Sequence, residues 1–197
     1  MSKYSKTYHL YFSPGTTSDD KIAKNCDELI GREIVILEKA DGENNGHDNF
    51  GSFARSHATY TTSPWSREVR QLHAQKIKGN LEEDVLLFGE NMEGIHSIEY
   101  TNLTSYFYLF GARHNTTWLS WDKVLEYAYL LDLEVVPVLF RGIVNTKTEL
   151  EDLVNKFMAE PSELGGVKEG VVIRVTDEFD DNVFTECVQK YVRPNHV

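Results

Sequence analysis

The length, composition and charge of the chain exclude several classes of protein. With 197 residues, 41% of them hydrophobic, the chain can bury a core, and no apolar run is long enough to cross a bilayer. Two distant cysteines, Cys26 and Cys187, argue against both a disulfide framework and a structural zinc site, and no signal-peptide core follows Met1. A net charge of −11 argues against non-specific nucleic-acid binding. We therefore expect a cytoplasmic globular protein with no membrane partner.

The first half of the chain is predicted to contain two helices, a strand and a loop. Apolar residues at helical spacing predict a short helix over residues 19–31, and the apolar run 33–38 predicts a strand. The polar residues 41–51 predict a loop. Ser63 followed by a proline is typical of a helix start, and this helix is expected to reach about Lys78.

The second half is predicted to mix helices with short apolar strands. Ser120 is typical of a cap before a helix over residues 121–131, and Thr148-Glu149-Leu150-Glu151 matches a capping box before a helix that reaches about Ala159. Because helices and strands do not alternate regularly, the pattern favours an α+β fold with antiparallel sheets. The strands are expected at residues 85–88, 106–110, 134–141, 166–175 and 188–193.

Lys39 is the best candidate for a nucleophile. It ends an apolar strand, and Asp41 and Gly42 follow it in a tight acidic turn. An amine at a strand end can face a bound phosphate, and a glycine allows the backbone to approach a ligand closely. Taken alone, however, the segment is more typical of a solvated Lys-x-Asp-Gly turn at the surface.

Further polar and aromatic residues lie at the ends of the other predicted strands. Each has a common structural explanation, since Glu90 and Glu169 fit solvated turns and Phe110 fits a core strand. Lys190 likewise fits the solvent-exposed face of a strand in which polar and apolar residues alternate. Their order along the chain is the informative feature. After Lys39 and Asp41 the chain presents, in this order, Arg55, Glu90, Phe110, Lys168, Glu169 and Lys190.

Six short segments in this order resemble the motifs of ATP-dependent RNA ligases, within the covalent nucleotidyltransferase superfamily of polynucleotide ligases and capping enzymes. Among these the chain looks like the phage-type enzymes that seal nicks in duplex RNA. The resemblance runs from about Glu33 to the carboxy terminus, and the ensemble is more specific than any one segment. The segments are Glu38-Lys39-Ala40-Asp41-Gly42-Glu43-Asn44, Ala54-Arg55-Ser56, Phe88-Gly89-Glu90-Asn91, Tyr106-Phe107-Tyr108-Leu109-Phe110, Lys168-Glu169-Gly170-Val171-Val172-Ile173-Arg174 and Gln189-Lys190-Tyr191-Val192-Arg193.

The resemblance implies an α+β nucleotidyltransferase (adenylyltransferase) domain, with antiparallel sheets flanked by helices and a nucleotide pocket between them. We expect residues 1–197 to form this single domain, without the separate carboxy-terminal module that many relatives use to grip a duplex. The implied reaction uses ATP to join an RNA 5′-phosphate to a 3′-hydroxyl through a covalent lysyl-AMP intermediate. The implied partners are such RNA ends and a protein that supplies duplex contacts.

The resemblance assigns the first chemical step to Lys39, which would attack the α-phosphorus of ATP. The attack needs a neutral amine, whereas a lysine normally titrates near about 10.4. A nearby Mg²⁺ ion, with Mn²⁺ as an alternative, would lower that pKa by charge repulsion. Magnesium keeps much of its hydration shell, so carboxylates would bind it directly or through water. The implied metal-binding residues are Asp41, Glu90 and Glu169.

The resemblance also implies contacts to the nucleotide. Lys190 would neutralise charge on the α-phosphate, with Lys168 as a weaker candidate for the same role. Arg55 and Asn44 would contact the ribose or the substrate end, and Phe110 would stack on adenine. The residues expected to bind ATP are therefore Glu38, Asn44, Arg55, Glu90, Phe110, Lys168 and Lys190.

Two positions depart from the family pattern. Gly111 stands where relatives often carry an aspartate, and Val192 stands where some carry a second lysine. Either Arg174 or Arg193 could supply the missing charge. A DNA ligase and an RNA-capping guanylyltransferase are alternative activities on the same scaffold. A nucleotide-binding module that no longer reacts is a further class that fits the acidic composition.

Overall fold

Two β-sheets with helices packed against them form the structure, a computed structural model that describes residues 3–55, 59–94 and 96–194. The helices are α1 (Arg67–Leu72), α2 (Trp121–Leu131), α3 (Lys147–Met158) and α4 (Phe184–Cys187), with 3-10 turns at Asp27–Leu29, Pro64–Ser66 and Asp181–Val183 and a π turn at His73–Ile77. The strands are β1 (Tyr8–His9), β2 (Glu33–Lys39), β3 (Glu43–His47), β4 (Ser52–Ala54), β5 (Val85–Asn91), β6 (Phe107–His114), β7 (Thr117–Trp118), β8 (Glu134–Val135), β9 (Val138–Ile143), β10 (Gly170–Val175), β11 (Phe179–Asp180) and β12 (Val188–Val192).

The two sheets are mainly antiparallel, which confirms the predicted α+β class. One sheet has the strand order β1-β12-β10-β2-β9, and the other has the order β11-β7-β6-β5-β3-β4 with β8 beside β6. The parallel pairings are those of β1 with β12 and of β8 with β6. None of the helices within the described residues is long and apolar enough to cross a membrane.

Strand β2 lies inside the first sheet and is buried on both faces. Val35 and Leu37 pack into one hydrophobic core, whereas Ile34 and Ile36 pack into another on the opposite face. A strand with two covered faces needs a continuous apolar run rather than an alternating one, and the sequence of β2 has such a run. Because side chains alternate along a strand, Lys39 lies on the same face as Val35 and Leu37.

The two long helices begin at hydroxyl caps. The Ser120 side chain accepts a hydrogen bond from the backbone N–H of Lys123 at 3.2 Å, so α2 begins as predicted. The capping box predicted at Thr148 is wrong by two residues. Thr146 is the cap of α3 and accepts from the N–H of Glu149, whose carboxylate accepts in turn from the N–H of Asn145 at 2.8 Å.

Two predicted elements in the first half are wrong. The segment 41–51 contains strand β3 and is not a plain loop, because β3 pairs with β4 on one side and β5 on the other despite its polar sequence. The segment 19–31 is not an α-helix and holds a single 3-10 turn at Asp27–Leu29. Its residue Ile22 instead makes a parallel bridge to His9. The helix predicted from Ser63 to Lys78 is confirmed, as a continuous run of 3-10, α and π turns.

Candidate functional site

A cavity of about 460 Å³ lies between the two sheets, and we refer to it as the Lys39 cavity. Strands β2, β10 and β12 of the first sheet and strands β3, β5 and β6 of the second contribute to its wall. Its volume falls within the range of about 300–1,000 Å³ that is typical of small-molecule sites. The sequence-predicted residues that line it are Glu38, Lys39, Asn44, Arg55, Glu90, Phe110 and Lys190.

The amine of Lys39 is held by a carboxylate from the neighbouring strand. Lys39 pairs with Gly170 across β2 and β10, which brings Glu169 beside it, and the Nζ to Oε1 distance is 2.8 Å. The Glu169 side chain is 5% exposed and that of Lys39 is 26% exposed, so the ion pair opens toward the cavity from the Lys39 side. Burial alone would lower the pKa of Lys39, but Glu169, Glu90 and Asp41 together raise it above its ordinary value. These three negative charges favour the ammonium form of Lys39.

Glu90 is an acidic group that lines the cavity and acts on the charge of Lys39. Its Oε1 accepts a hydrogen bond from the backbone N–H of Gly42 at 3.1 Å, so the turn after Lys39 is fixed to β5. Burial raises the pKa of Glu90 to about 8, and the nearby charge of Lys39 opposes that rise. Burial makes this carboxyl group costly to ionise, so an additional cation nearby would strongly stabilise its ionised form.

Asp41 lies at the turn and is not among the residues that line the cavity, although its charge acts on Lys39. Its Oδ2 accepts from the N–H of Ser97 at 3.0 Å and from the Ser97 hydroxyl, while its own N–H donates to the Tyr100 hydroxyl at 2.8 Å. Asp41 therefore fixes the loop around Ser97 to the end of β2. Among the described residues no three acidic, histidine or cysteine side chains are grouped closely enough to enclose a metal ion.

Lys190 faces the cavity from β12, on the same face of the sheet as Lys39. Val172 of β10 pairs with Leu37 of β2 and with Lys190 of β12, and all three residues line the cavity in one row. Burial, and after it the charge of Lys39, lowers the pKa of Lys190. Two cationic side chains thus face one cavity from two strands, which suits a ligand with several negative charges.

Phe110 lies at a β-bulge. Phe88 pairs with Gly111, but the next residue of β5, Gly89, pairs with Leu109, so Phe110 is an extra residue without a cross-strand partner. Bulges commonly redirect a side chain next to a functional site. Phe110 is partly exposed to the cavity and contacts both hydrophobic cores.

Asn44, Arg55 and Glu38 complete the predicted set that lines the cavity. Asn44 pairs with Glu90, its carbonyl accepts from the N–H of Arg55 at 3.3 Å, and its side-chain oxygen is buried without a hydrogen bond to a described residue. Strand alternation places the Glu38 side chain on the face opposite Lys39. Burial raises the pKa of Glu38, whereas Ser162 and Lys168 nearby favour its charged form. Ser56, part of the Arg55 segment, lies outside the described residues.

A family model described as RNA ligase matches residues 32–192. The match includes every sequence-predicted site residue and more than half of the chain. The chain belongs to the RNA ligase family. A comparison with curated proteins gives no match.

Solved structures of RNA ligases share the fold of this RNA ligase family member. An archaeal ATP-dependent RNA ligase is 14% identical with a TM-score of 0.62, and the match covers 96% of this chain and 48% of that one. An RNA ligase mutant from Naegleria gruberi, crystallised with ATP and Mn, is 17% identical with a TM-score of 0.56, and the match covers 85% of this chain and 51% of that one. A further mutant of that enzyme, crystallised with AMP and Mn, is 16% identical with a TM-score of 0.55. The chain spans about half the length of the first structures that it matches.

The structure does not bring Lys168 into the cavity of this RNA ligase family member. Its side chain is buried, and its Nζ donates to the carbonyl of Phe157 at 2.6 Å. Of the two arginines that could supply the missing charge, Arg174 lines the cavity and Arg193 does not. Burial lowers the pKa of Arg174 to about 10, and its guanidinium lies over the rings of Trp121 and Phe179.

A part of the cavity wall precedes the family match and was not predicted from the sequence. Residues 4–7 and the acidic residues Asp19 and Asp20 line the cavity, although they lie before residue 32. No periodicity marks this segment. The one available signal is an aromatic residue, Tyr4, among polar neighbours that are otherwise typical of a solvated terminus.

Proposed function

We propose that this chain is an ATP-dependent RNA ligase that forms a covalent lysyl-AMP at Lys39. The observation that carries the proposal is the position of the Lys39 amine, at the wall of a cavity of about 460 Å³ and 2.8 Å from a carboxylate oxygen of Glu169. A nucleophile next to a group that fixes its orientation is the usual arrangement for covalent catalysis. Membership of the RNA ligase family supports the assignment.

In the first step the Lys39 nitrogen attacks the α-phosphorus of ATP. The Lys39 ammonium first gives one proton to solvent. A phosphorus–nitrogen bond then forms as the bond between the α-phosphorus and the pyrophosphate oxygen breaks, and the nitrogen gives its second proton to solvent once that bond has formed. Glu169 accepts a hydrogen bond from Nζ and so directs the amine, although its negative charge also holds the proton. Release of the proton therefore requires that the acidic groups around Lys39 be neutralised.

The acidic groups fit a divalent cation of the magnesium type. Glu90 and Glu169 both act on the charge of Lys39, and the raised pKa of Glu90, about 8, marks a carboxyl group whose charge is poorly compensated. Mg²⁺ commonly takes one or two carboxylates and completes its shell with water and phosphate oxygens, so a cluster of three acidic side chains is not needed. When bound, such an ion supplies the charge neutralisation that favours a neutral Lys39. Asp41 would act through water.

Lys190 and Phe110 bind the other parts of the nucleotide. Lys190 lies on the same sheet face as Lys39 and offsets negative charge that develops on the α-phosphate. Phe110 presents a ring to the cavity for stacking on adenine. Asn44, with its unsatisfied side-chain oxygen, and Arg55 are suited to the ribose or to the RNA end.

The proposed reaction has two further steps at the same cavity. An RNA 5′-phosphate oxygen attacks the phosphorus of the lysyl-AMP and releases the Lys39 amine, and a 3′-hydroxyl then displaces AMP to form the phosphodiester. Each step is a displacement at phosphorus, so one set of cations and carboxylates can serve all three. Because the chain spans about half of its solved relatives, self-adenylylation is the first activity to test.

The test is the mass of the intact protein after incubation with Mg²⁺ and ATP. We expect one added AMP that is lost in acid, because a phosphoramidate is acid-labile. Lys39→Ala should never gain the adduct, whereas Lys24→Ala, which alters a lysine outside the cavity, should gain it as the wild type does. Absence of the adduct from folded wild-type protein, or its retention by Lys39→Ala, would refute the proposal.

A second measurement separates the activities that share this scaffold. The adenylylated protein is offered end-labelled nicks in RNA and in DNA, and a parallel reaction replaces ATP with GTP. We expect ATP to be used and RNA to be joined. A covalent GMP adduct would favour a capping guanylyltransferase, and preferential joining of DNA would favour a DNA ligase.

A further inference from the structure

Residues 3–7, which we call the amino-terminal strap, run along the Lys39 cavity, and residues 4–7 form part of its wall. The Tyr4 ring inserts among four aromatic side chains and is partly exposed to the cavity. Three of the four contacts are edge-on and the one with Phe88 is tilted; such packing is worth more than the buried area alone, so the ring is a firm anchor. The four rings, whose centroids lie 5.2–5.4 Å from that of Tyr4, belong to Phe88, Phe110, Trp118 and Phe184.

Two arginines hold successive carbonyl groups of the strap. The Nη1 of Arg113 donates to the carbonyl of Lys3 at 3.2 Å, and the Nε of Arg55 donates to the carbonyl of Tyr4 at 3.3 Å. The Arg113 side chain is only 5% exposed, so the strap supplies an acceptor to a buried cation. On the other side, the Ser5 hydroxyl donates to Asp181 at 2.5 Å.

The strap forms a wall and does not fill the nucleotide space. With Tyr4 in place the cavity still measures about 460 Å³, which is within the range of small-molecule sites. The contact of Tyr4 with Phe110 and the bond from Arg55 connect the strap to two residues that the proposed function places against the nucleotide. Tyr4 is therefore in a position to set the ring plane of Phe110 and the direction of the Arg55 guanidinium.

We propose that Tyr4 is a positioning residue, which anchors the strap so that Arg55 and Phe110 are held in place for the nucleotide. This inference rests on the proposed nucleotide-binding function of the same cavity. The strap contributes no nucleophile, so its effect falls on binding and leaves the bond-forming step at Lys39 largely unchanged. Loss of the Tyr4 ring frees the carbonyl that orients Arg55.

The test is the binding of AMP, which occupies the site but carries no pyrophosphate to expel. Tyr4→Ala should weaken AMP binding by about tenfold, the size expected for one lost charge-assisted contact. In self-adenylylation it should raise the KM for ATP and leave kcat within about threefold of the wild-type value. Tyr4→Phe, which keeps the ring, should bind as the wild type does. Tyr11→Ala is the matched control, because Tyr11 lies in the same part of the chain outside the cavity.

A double-mutant cycle separates positioning from a general loss of structure. If Tyr4 acts through Arg55, then Tyr4→Ala combined with Arg55→Ala should weaken AMP binding by clearly less than the product of the two single effects. Fully multiplicative effects, or wild-type binding by Tyr4→Ala, would overturn the inference. A loss of binding that only tracks the unfolded fraction, measured by thermal unfolding, would overturn it as well.

The same measurements distinguish this inference from the proposed function. Wild-type protein that binds AMP but forms no adduct with ATP would contradict the ligase mechanism, while the AMP titrations would still test Tyr4. Wild-type protein that forms the adduct while Tyr4→Ala is unaffected would contradict the role of the strap alone. Protein that binds neither nucleotide would contradict both.

Discussion

His47 is buried as a neutral imidazole, and this predicts a specific loss of stability in acid. Its ring stacks on His73 with centroids 5.6 Å apart and meets Phe107 edge-on at 4.7 Å. Its Nδ1 is 2.9 Å from the Ser52 hydroxyl, and among the described residues its Nε2 has no hydrogen-bond partner. Burial, and after it the charge of His73, lowers the pKa of His47 to about 3.

The sign and size of the effect follow from the difference between folded and unfolded chains. The unfolded imidazole titrates near about 6.5, so between about pH 6.5 and pH 3 only the unfolded chain binds this proton. Stability is therefore lost as the pH falls through that window. At about 1.4 kcal/mol per pKa unit, His47 should remove about 2 kcal/mol from the free energy of unfolding between about pH 7 and pH 5, and about 4 kcal/mol by about pH 3.

The assay is urea unfolding at pH 7 and pH 5, followed by tryptophan fluorescence. His47→Gln keeps an amide that can bond to Ser52 but removes the titrating group, so its free energy of unfolding should fall by about 2 kcal/mol less than that of the wild type over this step. The exposed His114→Gln variant should behave as the wild type does. Equal losses in the wild type and His47→Gln would refute the reasoning.

Three further predictions test the fold and the cavity. Thr146→Ala should lower the free energy of unfolding in urea by about 1 kcal/mol, because Thr146 is the cap of α3. Thr148→Ala should have a much smaller effect, and the reverse order would contradict the observed cap. Gly170→Ala should lower the free energy of unfolding in urea by more than about 2 kcal/mol, because a Cβ there would collide with a carbonyl of β12. Gly111→Ala should lower it far less, because there is room for a Cβ at that position, and equal losses would contradict this reasoning. Phe110→Ala should weaken AMP binding by at least about fivefold in a titration, because stacking of a base on a ring is worth about 1–3 kcal/mol; unchanged affinity would exclude stacking.

Elements with local signals were predictable from the sequence, and elements made by distant partners were not. The helix after Ser120 carries its own cap and apolar stripe, so its start and extent follow from local chemistry. Strand β3 reads Glu-Asn-Asn-Gly-His and lacks an apolar pattern, and it forms because β4 and β5 supply hydrogen bonds on both edges. The segment 19–31 has helical spacing, but the bridge from Ile22 to His9 replaces an α-helix there, and only the 3-10 turn at Asp27–Leu29 forms.

The same distinction applies to the candidate site. Lys39, Glu90 and Lys190 could be selected because their motifs have a fixed order, and strand pairing then brings them around one cavity. The sequence did not indicate that Lys168 would bond to a helix carbonyl, because side-chain direction after a turn depends on packing. Nor did it indicate Tyr4, whose role depends on rings far away along the chain.

Under the proposed function, the bulge in β6 separates base preference from strand pairing. Phe110 is the residue of this part of β6 that has no partner in β5. Strand pairing therefore does not constrain which side chain stands at position 110. An exchange of Phe110 for another ring can therefore leave the sheet intact while it alters the surface offered to a nucleobase. Under the proposed function, an exchange that keeps the contacts of ring 110 with both cores and with Tyr4 can therefore shift nucleotide selectivity while the strands stay paired.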